Sequence, residues 1–401
     1  MEAGESIYGC ECKCHQKKSD IIPSCDKRIK MYAKYPYPDY NDLSSIHNGY
    51  YANSSKLVCG DDAIMAAYDD GFIRLCMSER HSLGRINWCF ECNHEGVEII
   101  PGGFAYTFKI PGLLSASASE GCYLLADRKG YAWSFGINDY GQVGQSSASF
   151  NIPNPTRIPG IENVKEVYTG NYHSALILKN DNVLIFGRNE NSELGLYNRE
   201  NKIITPMLNH DLSYGSKIKK ICFGLKHTIV LTEDGKIKGA GSNQYGQLGM
   251  AEKKDVLVFT DIPVTSRKII DVATGGNHTV ILTENGNVYA FGLNCEGRLG
   301  TGSWDREIIN PPQKIIVPEK VKSIHTSNNL TLFECANGVL YRTGNGIAFL
   351  HDLEEGRVID DLVGYSRSCL PELVKLRWDN HPYTSGFEVK FVTHSYVMLK
   401  H

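Results

Sequence analysis

Residues 275–300 read GGNHTVILTENGNVYAFGLNCEGRLG, and this stretch decides the fold because it returns. GLKHTIVLTEDGKIKGAGSNQYGQLG begins at Gly224, GNYHSALILKNDNVLIFGRNENSELG at Gly170, and a looser SEGCYLLADRKGYAWSFGINDYGQVG at Ser119. The equivalent positions Cys122, His173, His227 and His278 are 51, 54 and 51 residues apart, so one structural unit is laid down repeatedly. Within each copy a first run such as Val280 to Leu282 is apolar at consecutive positions, as a strand covered on both faces should be. Glu284-Asn285-Gly286, Glu233-Asp234-Gly235, Asp69-Asp70-Gly71 and Ala336-Asn337-Gly338 then supply hairpin-turn chemistry before a second apolar run. That run closes in Gly-x-Asn-x-x-Gly-x-Leu-Gly, as at Gly292, Asn294, Gly297 and Gly300, residues that tolerate positive φ and bend the chain out of the sheet.

Each repeat is therefore a small antiparallel sheet, apolar on both faces. Stacking such sheets radially about an axis buries both faces and leaves short edges, which predicts an all-β fold, a β-propeller. Weaker copies at Ala63, Asn329 and Ser395 raise the expected number of blades to seven. The last copy stops at His401 after its first strand, and Ile7-Tyr8-Gly9-Cys10 resembles Val288 to Gly292, so residues 1–16 are expected to complete the final blade. The expected plan is one propeller domain over 1–401: an irregular connection at 17–55, blades one to six over 57–347, a divergent insertion at 348–392, and the first strand of the last blade at 393–401.

The four matched repeats resemble those of the regulator of chromosome condensation family, whose founding member is the exchange factor for the GTPase Ran. Tryptophan-Asp propellers fit poorly, since the four Trp residues have no regular spacing. The first repeat keeps Leu83-Gly84 but has Cys76 where the bend glycine is expected, and the sixth ends Thr343-Gly344-Asn345-Gly346 without Leu-Gly. The resemblance implies a regulator or scaffold, or an exchange factor acting on a small GTPase. The founding member carries a basic tail for chromatin, whereas this N-terminus has only a scatter of Lys17, Lys18, Lys27, Arg28 and Lys30.

A formal net charge of −3 argues against a sequence-independent nucleic-acid binder. Lys217, Lys219, Lys220 and Lys226 read as charges that blunt exposed blade edges. No apolar segment approaches the length of a membrane span and no basic-then-apolar leader opens the chain, so a cytoplasmic or nuclear location is expected, with the thirteen cysteines as reduced thiols.

His173, His227 and His278 share one repeat position; a ring of imidazoles near the axis is set against packing, in which each bonds the backbone of its own blade. Packing is the expectation, because a site arises once whereas a packing solution is copied with the repeat. Cys10, Cys12, Cys14 and His15, with Cys25, and the Cys89-x-x-Cys92-x-His94 stretch suit zinc by residue type. Their spacing departs from paired knuckles, and neither metal nor cofactor is expected. No nucleophile elbow, zinc helix or phosphate loop is found, so the function expected is a non-catalytic interaction platform, with nucleotide exchange on a small GTPase as the alternative.

Specificity is expected in the non-repeated segments: 17–55, with Tyr32, Tyr35, Tyr37, Tyr40, Tyr50 and Tyr51; 85–116; and 348–392. Asp352, Glu354, Glu355, Arg377 and Trp378 are the candidate partner-binding residues: an acidic loop suited to a basic protein surface and two side chains of the kinds that anchor interfaces. The chain is expected to be a monomer.

Overall fold

The computed structural model describes residues 56–59, 63–78, 97–100, 103–110, 112–146, 149–198, 200–345, 349–352, 358–361, 367–373, 388–392 and 396–400. Apart from one four-residue helix, His210–Ser213, its regular structure is β, arranged in seven sheets. Six are wholly antiparallel. In the fifth, Ile269–Thr274, His278–Thr283, Val288–Asn294 and Glu307–Ile315 lie side by side in chain order, and the second, third and fourth sheets repeat that order. The hairpins fall where predicted: Thr283 N–H donates to Asn287 O at 3.0 Å and Gly286 N–H to Thr283 O at 2.8 Å.

In the first six sheets the first strand is innermost, and in the seventh it is Glu388–Val392. Lys56–Cys59 touches Leu113–Ser119, and contact passes on through Val164–Thr169, Ile218–Phe223, Ile269–Thr274, Val321–Thr326 and Glu388–Val392, which returns to Lys56–Cys59. This closed circuit of inner strands around one axis is the propeller. Its core lies between the sheets: Leu124, Val167, Leu176, Phe186, Leu194, Val230 and Phe259 form one continuous cluster across the second to fourth sheets. Burying each such side chain contributes about 1.5–3 kcal/mol, so the ring is held by face-to-face packing.

The departures from the repeat have structural counterparts. In the third-to-fourth strand pairing of the fifth sheet the register shifts between Ala290 and Gly292, and Gly292 has φ +110°, with room for no Cβ because Asn277 O would lie 2.6 Å away. In the first sheet Ala63 pairs with Met77, so methionine and not Cys76 stands at the bend position. A methionine cannot adopt that conformation without strain. Phe72–Ser78 accordingly pairs without a break along Gly103–Lys109, and Val97–Ile100 adds a fifth strand. Part of the inserted segment 85–116 thus extends the first sheet, while its end, from Leu113, begins the second.

Strands within 348–392 join the last two sheets. Arg367–Leu373 is the outer strand of the sixth, beside Leu340–Asn345. In the seventh, Phe349–Asp352 runs parallel to Tyr396–Lys400, which is also paired with Glu388–Val392, and Val358–Asp361 lies outermost. Residues 1–16, expected beside that strand, and the connection 17–55 lie outside the described residues. No helix among the described residues is long and apolar enough to cross a membrane.

Candidate functional site

The loops that join the first and second strands of each sheet share one end of the propeller with the Gly-x-Asn-x-x-Gly elements, and this loop face is built on buried polar bonds. Asn243 shows the device. Its side-chain amide donates to Met250 O at 3.0 Å, while its Oδ1 accepts from Leu248 N–H at 2.9 Å. Asn294 does the same with Ser303 O and Leu299 N–H. The motif residue read as a turn former is therefore a buried brace that ties both limbs of its loop together.

The repeated histidines bind across sheets. Nε2 of His173 lies 3.0 Å from Thr228 Oγ1 in the next sheet, and Nε2 of His227 lies 3.2 Å from Thr279 Oγ1. Those hydroxyls donate onward, Thr228 to Glu193 O at 2.6 Å and Thr279 to Gln247 O at 2.8 Å. Each threonine can then only accept from the imidazole, which assigns the proton to Nε2. The expected bond to the backbone of the same blade is thus replaced by an inter-blade one, because the ring is pressed between sheets. All three rings are fully buried between the sheets. His278 has neither ring nitrogen bonded, and Cys122 takes the histidine's place with Ser174 at 3.8 Å.

Burial pushes His173 down to about 3, reinforced by Arg188, and His227 likewise to about 3, reinforced by His173; His278 is driven well below its ordinary value in the same way. These imidazoles are neutral fasteners in the folded state.

One cluster on this face does not recur. Arg188 stands where the other repeats have Ile137, Ser242 and Leu293. Its Nε donates to Glu193 Oε1 at 2.7 Å in a pair buried on both sides, Nη2 donates to Leu225 O, and the guanidinium lies 4.3 Å from the Tyr172 ring centroid. Tyr140 packs edge-on against Tyr172 at 5.5 Å. The sequence signal for this group is that the repeat in which Arg188 enters also has Glu193 where two other repeats have Gln142 and Gln247. Glu193→Gln is expected to destabilise the fold by about 2 kcal/mol in denaturant titration, because it leaves a buried guanidinium without its counter-charge.

Of the expected partner-binding residues, Asp352 ends the strand Phe349–Asp352, opposite Leu399. Glu354, Glu355, Arg377 and Trp378 lie outside the described residues, as do Cys10, Cys12, Cys14, Cys89, Cys92 and the tyrosines of 17–55. Other aromatic side chains are exposed: Tyr197 and Tyr214 at 77% and 75%, with Phe150 and Trp304 less so. Tyr197 follows the Leu-Gly of the third sheet, and Tyr214 ends the short helix before the fourth.

Models of the regulator of chromosome condensation (RCC1) repeat match residues 129–177, 234–282 and 285–333, and a second model of the same repeat matches 218–247 and 269–298. The ultraviolet-B receptor UVR8 of Arabidopsis thaliana is 28% identical over 217 residues, covering 53% of this chain and 48% of that protein. The secretion-regulating guanine nucleotide exchange factor of Bos taurus is 34% identical over 164 residues, 41% of this chain and 35% of that protein. The chain thus spans about half or less of the curated relatives it matches. Among solved structures, human WBSCR16 superposes with a TM-score of 0.67 at 18% identity over 87% of each chain. Prp20p of Saccharomyces cerevisiae does so with 0.59 at 16%, covering 85% of this chain and 80% of that one. At such identities these two likenesses speak to the fold alone, a propeller of the same kind. With those repeats matched in sequence and their sheets closed into that ring, the chain carries regulator of chromosome condensation (RCC1) repeats folded as a β-propeller.

Proposed function

We propose that the protein is a non-catalytic interaction platform: a rigid propeller that presents non-repeating side chains to a protein partner. The observation that carries this reading is the contrast between what recurs and what does not. The imidazole, asparagine and glycine positions that hold the sheets together are copied from repeat to repeat and buried, whereas Tyr197 and Tyr214 are largely exposed and have no counterparts. Large aromatic side chains left in water on a stiff frame are the usual anchors of protein interfaces. Asp352, Glu354, Glu355, Arg377 and Trp378, in the divergent segment, belong to the same proposal as partner-binding residues, on a chain acting as a monomer in cytoplasm or nucleus.

Exchange on a small GTPase is the alternative, favoured by the name of the bovine relative and by Prp20p, whose structure was described together with its binding properties to Gsp1p and histones. An exchange factor needs no nucleophile; it binds the nucleotide-free GTPase more tightly than the loaded one. Capture on the tagged protein in EDTA, repeated with excess GTP and magnesium, separates the two. Partners retained under both conditions, and weakened at least tenfold by Tyr197→Ala, Tyr214→Ala or Trp378→Ala with unchanged thermal unfolding, are the expected result. A GTPase held only when nucleotide is stripped makes exchange the function. Partner binding indifferent to all three substitutions overturns the proposed surface.

A further inference from the structure

An open-mouthed cavity of about 260 Å³ lies between the inner strands, lined by side chains from the second to sixth sheets. These axial positions break the repeat. Ser117, Tyr168, Cys222, Ala273 and His325 occupy one level of the five inner strands, no two alike, although the position before each is always apolar: Ala116, Val167, Ile221, Val272 and Ile324. A packing solution would have been copied with the repeat, as the buried histidines were; a set of unlike and mostly polar side chains converging on one space has the character of a site.

Its chemistry is specific. Lys220, read from sequence as a charge on a blade edge, belongs to an innermost strand and lines the cavity; its ammonium is paired with Asp271 of the neighbouring sheet at 2.8 Å. That cation is thereby neutralised in place while keeping two further N–H donors. Ser323 Oγ donates to Glu334 Oε2, so it accepts from His325 Nε2–H at 3.2 Å, leaving His325 Nδ1 as an acceptor. Burial holds His325 down at about 4, with Lys220 adding to the effect against Asp271 and Glu334, so the ring stays neutral near pH 7. The hydroxyls of Thr274 and Thr326 line the same space and are uncommitted among the described residues. Tyr168 and Phe223 contribute aromatic surface. Donors and acceptors are thus interleaved beside aromatic rings, with no net charge from the ion pair, in a volume below that of a drug-sized pocket.

We infer that the axial cavity is a binding site for a small neutral polyhydroxylated ligand, of the size and chemistry of a monosaccharide or cyclitol. Its hydroxyls would receive hydrogen bonds from the Lys220 ammonium and give one to His325 Nδ1, exchange others with Thr274 and Thr326, and set a C–H face against Tyr168 or Phe223. The inference is independent of the partner-binding surface proposed above, whose described residues Asp352, Tyr197 and Tyr214 do not line this cavity.

Ligand-observed magnetic resonance on the full chain tests it, with D-glucose and myo-inositol as neutral probes and glucose 6-phosphate as the charged comparison. Saturable binding of at least one neutral probe is expected, weakened at least tenfold in the Thr274→Val/Thr326→Val double variant, which keeps side-chain shape. Thermal unfolding of that variant unchanged from the parent shows that the ring is intact. A second variant, His325→Phe, removes the acceptor and is expected to weaken the same probe. No saturable binding by either neutral probe, or binding that both variants leave unaltered, overturns the inference. Binding of glucose 6-phosphate alone also overturns it, since recognition would then rest on the lysine charge.

Discussion

Gly224→Ala is expected to lower the stability of the ring by about 3 kcal/mol or more, read as a shift in the denaturant midpoint without a change in slope. A Cβ built on Gly224 falls 2.0 Å from Cε1 and 2.3 Å from Nδ1 of His227, atoms of a rigid, fully buried ring that has no alternative place. Gly275 stands in the same relation to His278, with Ser327 O at 2.4 Å closing the other side. The glycine three residues before His227 and His278 is thus a floor under the imidazole, whereas Gly170, before His173, faces Phe223, whose Cβ would lie 2.5 Å away. The cause is testable by a cycle. In a His227→Ala background the clash partner is gone, so Gly224→Ala should cost less than about 1 kcal/mol there. Equal costs in both backgrounds would show that the backbone of Gly224, and not the ring above it, sets the requirement.

Acidification is the second large effect. In the unfolded chain His173 and His227 titrate near 6.5. In the folded ring both are held at about 3 by burial. A depressed folded value means that the unfolded state takes up protons first as pH falls. The stability present above pH 6.5 is therefore lost between about pH 6.5 and 3. At pH 5 each of the two costs about 2 kcal/mol, or about 4 kcal/mol together, with His278 acting in the same direction. The unfolding midpoint in urea is expected to fall steeply from pH 7 to pH 5, and His173→Gln to shallow that slope by about one proton. A flat profile over this range would mean that the imidazoles protonate within the ring, through water the tight packing does not show.

Most of the architecture was legible because a repeat exposes its own rules. The spacing of Cys122, His173, His227 and His278, the turn at Glu284-Asn285-Gly286 and the bend at Gly292 depend on local backbone preference and on alternation between apolar runs and glycine, and both are properties of the chain read along its length. The first sheet was harder. A one-residue difference decided whether Cys76 or Met77 met Ala63, and only the pairing of strands resolves a register of that kind. The roles of the histidines divide in the same way. Their repetition announced a packing function, but the choice of Thr228 and Thr279 as partners depended on how closely adjacent sheets press together.

The non-repeating groups were the least visible. Arg188 and Glu193 are five residues apart and each is ordinary by itself; burial against Tyr172 and the Leu225 carbonyl makes them a unit. Lys220 and Asp271 are separated by a whole repeat, as are Cys222 and His325 by two, and only closure of the ring brings them to one cavity. What the amino-acid order determined by itself was the sheet, its turns and its succession, since these follow from interactions over a few residues. The tertiary structure decided which side chains face the axis together and which are pinned between sheets, since those neighbours lie some fifty residues apart and meet only when the apolar faces of successive sheets are driven together out of water.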